Sequence, residues 1–221
     1  MPRTALRFVV PVDEQAPRAD GPARTVAKPS AARQRIVDAA YELFSRNGLR
    51  AVGVDTIIAE SGVAKMTLYR NFASKDELIL EFLRVREERW TRDWLQAEAE
   101  RRATTPDGRL LAIFDVFDEW FQLDDFEGCS FVNVLLEVTD LESPVRRASV
   151  EHLATIRTFV AGLAVEAGVA DPDGFSRQWH ILMKGSIVSA GEGDRQAARR
   201  AQELGRLLLA QALPAPAPDP D

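Results

Sequence analysis

A chain of 221 residues, 46% hydrophobic and 28% charged, has the composition of a globular protein with one large domain or two small ones. No apolar run approaches the ~18 residues that span a bilayer, and the stretch from Leu6 to Val12, interrupted by Arg7 and Pro11, is too short for a secretory signal. With 28 Lys and Arg against 34 Asp and Glu, the net charge of −6, taken whole, argues against a partner such as nucleic acid or an anionic membrane.

A single Cys129 excludes an intramolecular disulfide and, with no signal, points to the cytoplasm. One Cys and two His, His152 and His180, speak against a zinc site, so neither metal nor cofactor is expected.

Residues 1–29 are rich in Pro, Ala and Arg without sustained periodicity and read as a disordered basic tail. Helical spacing recurs from there on, and the chain is expected to be all-α with about nine helices. The first starts after Ser30, carries Ile36, Ala40, Leu43 and Phe44 on one stripe, and stops near Asn47-Gly48. Two short helices follow, about Val54–Ser61 and Ala64–Phe72, joined by a turn at Gly62-Val63. Ser74-Lys75-Asp76-Glu77 fits a capping box, and with no breaker before Thr104 the helix it opens runs to about Arg102.

After Pro106 come Leu110, Ile113, Phe114, Phe117, Trp120 and Phe121, an amphipathic helix, separated by Gly128 from a shorter one with Phe131, Val134, Leu135 and Val138. Ser143-Pro144 opens a helix of about 24 residues ending at Gly168, by the rule of a cap followed by an N1 proline. Asp171-Pro172 opens another reaching about Ala190, and Asp194 starts the last, with Ala201, Leu204, Leu207 and Leu208. Residues 214–221 are a Pro-rich tail that cannot continue it.

Charge is unevenly spread. Residues 1–29 carry +2, residues 30–75 carry +3 and the remainder −11. A basic head on an acidic body suggests that one end faces nucleic acid. A longer helix followed by two short ones around a Gly turn is the layout of a helix-turn-helix, whose second helix enters the major groove. Within that second helix, Leu68 and Phe72 lie four apart and face a core with Ile36, Leu43, Phe44 and Ile57. Met66 and Arg70 then point away, with Thr67 and Tyr69 on the flanks.

The outward set suits DNA. Arg70 can fork onto guanine O6 and N7, Met66 can pack on thymine methyls, and the Thr67 and Tyr69 hydroxyls suit phosphates or base edges. Lys65 adds a point charge, and Lys75 stands in the first turn of the next helix, where free N–H groups also attract phosphate. From spacing alone, a three-helix core with ordinary polar decoration fits equally well.

The run Gly62-Val63-Ala64-Lys65-Met66-Thr67-Leu68-Tyr69-Arg70-Asn71-Phe72-Ala73-Ser74-Lys75-Asp76-Glu77-Leu78 resembles the DNA-binding head of TetR-family transcriptional regulators. Ala39-Ala40, Leu43-Phe44 and Asn47-Gly48 resemble the family's first helix, and the likeness covers about 50 residues, Ser30 to Leu80. The resemblance implies a homodimer docking each head in one major groove. Thr67, Tyr69 and Lys75 would hold phosphates, while Met66 and Arg70 would follow the operator sequence. Ala64 departs from the family's Ser or Thr, Gly53-Val54 from its capping Thr, and Ile58 from its Ala. The implied division is a head at residues 30–75 and an effector-binding and dimerisation body at residues 76–213.

The body is crowded with aromatics, most of them simply core. Phe117, Trp120 and Phe121, with the polar stripe Ser130, Asn133 and Glu137 at i, i+3 and i+7, form the candidate lining of an effector pocket between helices, although such a stripe fits a solvated side nearly as well. His152 is counted with them, although a structural role outweighs ligation for it and for His180. Cys129, preceded by Asp124, Asp125 and Glu127, reads as a small buried residue rather than a redox sensor. Trp179, Leu182, Met183, Ser186 and Ile187, with Leu204, Leu207 and Leu208 of the last helix, are the expected dimer face, Gly185-Ser186 permitting close approach.

The expectation is therefore a ligand-responsive, homodimeric repressor binding a palindromic operator in double-stranded DNA. Its effector would be a small molecule, and no membrane is involved. An all-α enzyme is disfavoured because no nucleophile, base or metal cluster is apparent. A helical adaptor is the remaining rival.

Overall fold

Each helix end is explained by a local device. Residues 30–213 are described by the computed structural model of the chain, and the readings of the two tails lie outside them. Ser30 Oγ accepts from the Arg33 N–H at 3.2 Å and opens α1 (Ala31–Ala51). The helical backbone of α1 is interrupted at Gly48, whose φ of 75° is the left-handed conformation that favours glycine. α2 (Val54–Ser61) ends on Gly62, again at positive φ, with its N–H on the Ile58 carbonyl, and α3 (Lys65–Asn71) follows. Neither Gly53 nor Ala64 supplies a side-chain cap, as their departures from the family pattern imply.

The expected capping box forms in a shifted version before α4 (Lys75–Arg86): Ser74 Oγ accepts from the Glu77 N–H at 3.1 Å, and the Glu77 carboxylate accepts from the N–H of Ala73, one residue before the cap, at 2.6 Å. The rod then continues without a break through a π-helical segment, Glu87–Gln96, into α5 (Ala97–Arg102). The expected end at Arg102 is found, whereas the widened pitch in the middle has no signature in apolar spacing. α6 (Pro106–Phe121), α7 (Ser130–Glu137), α8 (Pro144–Glu166), α9 (Pro172–Gly191) and α10 (Ala197–Ala212) complete the chain. With the rod counted once, nine helices and no strand are present among the described residues.

One helix opens where expected but without its side-chain cap, and one opens later than expected. Ser143 gives no side-chain cap to α8. Asp194 forms a turn, its carboxylate accepting from the Gln196 N–H, and α10 begins only at Ala197.

One continuous core runs through the chain. In the head, Phe72, Leu68 and Ile57 meet Ile36, Ala40 and Phe44, and Phe82 of α4 reaches up to Phe44 and Tyr41 at 5.5 and 5.7 Å. Below, α8, α9, α10 and α6 pack as a bundle. Gly205 lets α10 close on α9 and α6, since a Cβ there would stand 2.8 Å from the Trp179 ring and 3.3 Å from Phe114. No helix among the described residues is long and apolar enough to cross a membrane.

Candidate nucleic-acid interface

α3 is a seven-residue helix held by two anchors. Leu68 and Phe72, one turn apart, are each 1% exposed, while Met66 is 65% and Tyr69 43% exposed. Arg70 and Lys65 are also exposed, and Thr67 is half-buried on the flank. The outward set therefore stands together on one solvent face. Asn71 fastens the end of the helix, its Nδ2 donating to the Thr67 carbonyl at 2.7 Å. Arg33 lies over the Phe72 ring at 4.8 Å and pairs with Glu81 at 3.0 Å, clamping the anchor from above. Lys65 stands 3.6 Å from Asp55, an exposed pair that water screens and an incoming phosphate can replace.

Lys75 is differently placed. Its Nζ donates to the Leu49 carbonyl at 2.6 Å and lies 5.9 Å from the Phe44 ring. The ammonium closes the end of α1, although two of its three donors stay available.

The residues proposed for an effector pocket are not brought together around one cavity. Phe117, Trp120 and Phe121 belong to an aromatic group with Trp90, Trp94 and Phe126, in which Trp90 is 5.1 Å and Phe126 4.8 Å from Trp120. Trp90 Nε1 is buried there without a hydrogen-bond partner. His152 instead lies beside Phe131 at 5.2 Å, and burial lowers its pKa.

The polar stripe is also divided. Ser130 is buried, and Asn133 faces a groove of about 340 Å³ that Phe126, Cys129, Val132, Lys184 and Ile187 also line. Glu137 turns to the head, accepting from the Arg50 N–H at 2.8 Å. A second open groove, about 420 Å³, lies between Arg92, Gln96, Arg109, Thr155 and Phe159, none of which the sequence reading selected. Burial pushes the Cys129 thiol up, as an inert thiol requires.

The expected dimer face needs correction. Trp179, Met183, Ser186 and Ile187 are buried in the chain's own interior, because a side chain that fills the monomer core has no surface left to offer a partner. Leu182 and Leu208 are partly buried. The outward side of α9 is instead Ile181, Gly185 and Val188, at i, i+4 and i+7. Leu204 and Leu207 of α10 are exposed as expected. Periodicity could have supplied Ile181, 64% exposed, since Phe175 and Trp179, the largest residues of α9, mark its core side. His180, on the inner side, is pushed down to about 3 by burial and then by Lys184 and Arg157.

Comparison with known proteins agrees with the geometry of the head. The profile of bacterial regulatory proteins of the tetR family matches residues 36–82. The HTH-type transcriptional regulator QacR of Staphylococcus aureus is 36% identical over 62 residues, 28% of this chain and 33% of that protein. The chain thus aligns with only one third of this curated relative's length. Among solved structures, a TetR-family transcriptional regulator of Streptomyces coelicolor is similar with a TM-score of 0.77 at 28% identity, covering 84% of this chain and 91% of that one. The regulatory protein TetR of Rhodobacter sphaeroides is similar with a TM-score of 0.69 at 26% identity, covering 80% and 98%.

Proposed function

The chain belongs to the TetR family of bacterial regulatory proteins, and from that premise we propose that it is a cytoplasmic, homodimeric repressor that releases a palindromic operator when a small molecule binds its body. The head is residues 30–75 and the body residues 76–213. The observation that carries the reading is the division of α3, with Leu68 and Phe72 sealed inward and Met66, Tyr69 and Arg70 exposed together.

Arg70 and Met66 read base edges, Arg70 as a bidentate donor to guanine. Lys65, Thr67, Tyr69 and the free donors of Lys75 hold phosphates and set the register. The partner copy packs on Ile181, Gly185 and Val188 of α9 with Leu204 and Leu207 of α10, an apolar stripe that is exposed in the single chain. Two heads about 34–36 Å apart match one turn of DNA. An effector that binds better to a different spacing lowers operator affinity by linkage. The aromatic group of Trp90, Phe117, Trp120 and Phe121 is the favoured effector wall, supported by the unpartnered Trp90 Nε1.

Selection from random duplex DNA tests the reading. A reproducible palindrome is expected, and no enrichment even at low salt would favour the enzyme or adaptor rivals. A thermal-shift screen of small molecules tests the effector, since a ligand of the native state alone raises its stability.

A further inference from the structure

Glu137 is the last residue of α7 and carries a negative charge at the negative end of its helix, a placement that disfavours an acid. No basic residue in the last turn of α7 offsets it. The carbonyls at that end are served from α8 instead, where Arg146 Nη1 donates to Leu135 and Val138 at 2.7 and 2.8 Å. The compensation for Glu137 comes from the head. Its Oε2 accepts from the Arg50 N–H at 2.8 Å, and its Oε1 lies against Gly48, where a Cβ would stand 2.6 Å away.

The segment so held, Gly48 to Arg50, is the exit of α1, separated by three residues from the start of α2 at Val54. The same segment is gripped from the other side by Lys75, whose Nζ takes the Leu49 carbonyl. One short stretch of backbone is thus fixed by a cation from the start of the rod and an anion from the end of α7. Glycine at position 48 serves two needs: it adopts a φ of 75° and leaves room for the carboxylate.

We propose that Glu137 is the positioning residue through which α7 sets the seat of the helix-turn-helix, so that any shift of α7 is passed to the recognition helix by the Gly48–Arg50 backbone. The proposal rests on the reading of the head as a DNA-binding unit. It requires no contact between Glu137 and DNA. Because the link is a side chain to a backbone N–H, it is open to any residue at 50 except proline.

The test uses the full-length chain, with the duplex selected by the native protein as the DNA probe. Site-resolved amide exchange follows the backbone. In Glu137→Ala the Arg50 amide should exchange about tenfold faster, a charged hydrogen bond having been lost, while protection in α8, α9 and α10 is unchanged. Affinity for the duplex should fall about tenfold. Glu137→Gln keeps an accepting oxygen and should remain within about threefold of native in both readouts. In the Glu137→Ala background, Gly48→Ala should cost less stability than in the native chain, because the clash with Oε1 is gone.

Unchanged exchange at Arg50 would overturn the proposal. So would a uniform acceleration across the whole chain, which marks a merely structural role, or faster Arg50 exchange with full duplex affinity. Should the native protein select no duplex, the functional reading fails by itself, and the exchange pattern still decides whether Glu137 seats the segment.

Discussion

The head and the body treat their large side chains in opposite ways. α3 of the head spends Leu68 on the core, with Phe72 just beyond its end, and leaves Met66, Tyr69 and Arg70 outside. α9 of the body turns Phe175, Trp179, Met183 and Ile187 inward and shows solvent Ile181, Gly185 and Val188, with no aromatic among them. The difference follows from length and partners. A seven-residue helix touching a three-helix core has room for few anchors, so its exposed residues are conspicuous. A twenty-residue helix packed between α8 and α10 needs an anchor every turn, so its conspicuous residues are core. An exposed Met on a short helix is therefore a better guide to an outward face than a Trp on a long one.

The contrast is sharpest in the two anchors, and the largest effects are expected there. Phe72→Ala and Trp179→Ala should each cost about 3–5 kcal/mol, read as a shifted denaturant midpoint. Met66→Ala should change stability by less than about 0.5 kcal/mol while altering operator preference. Equal stability losses at Met66 and Phe72 would erase the inward and outward division of α3.

Next in size are the residues proposed for the two interfaces. Ile181→Asp should leave the fold of the chain intact and shift sedimentation from dimer to monomer, whereas Trp179→Ala should lower stability first. A dimer that survives Ile181→Asp would return the α9 face to the drawing board. Arg70→Ala should weaken binding to the selected duplex by about 1–3 kcal/mol and relax preference at one base pair.

A pH effect is expected in the body. His180 is buried, and its pKa is pushed down to about 3, below the ~6.5 of an exposed imidazole. The unfolded chain therefore takes up a proton that the folded one refuses. The contribution is whole above pH 6.5 and is lost as pH falls from there toward 3. Between pH 6.5 and 5 this amounts to about 1–2 kcal/mol, and His180→Leu should flatten that part of the stability profile. A slope unchanged by the substitution would assign the acid sensitivity to other groups.

The smallest effect lies at the rim of the head. Lys65→Ala should weaken binding to all duplexes alike and reduce the salt slope by about one. Its pair with Asp55 is exposed, so little stability goes with it.

Much of this architecture was legible in the chain. Ser30, Gly48, Gly62, Ser74 and Pro106 mark helix ends by local rules, and Leu68 with Phe72 marks the buried side of α3. What local rules could not supply is tertiary. The amine of Lys75 turns to the Leu49 carbonyl rather than outward because the exit of α1 passes beside it. Glu137 leaves the stripe it shares with Ser130 and Asn133 because the Arg50 N–H, 87 residues away in the chain, offers a better partner. Both sides of α9 carry apolar residues, and only the packing of α8 and α10 distinguishes its core side from its outer side.

DNA recognition is proposed for the outward face of α3. Anisotropy titration of the selected duplex with the native chain and with Arg70→Ala, over a series of salt concentrations, tests it most directly. Native binding should fall steeply with salt, as phosphate contacts demand, and Arg70→Ala should bind the selected and a scrambled duplex with nearly equal, weaker affinity. Full affinity and undiminished preference in Arg70→Ala would contradict the account.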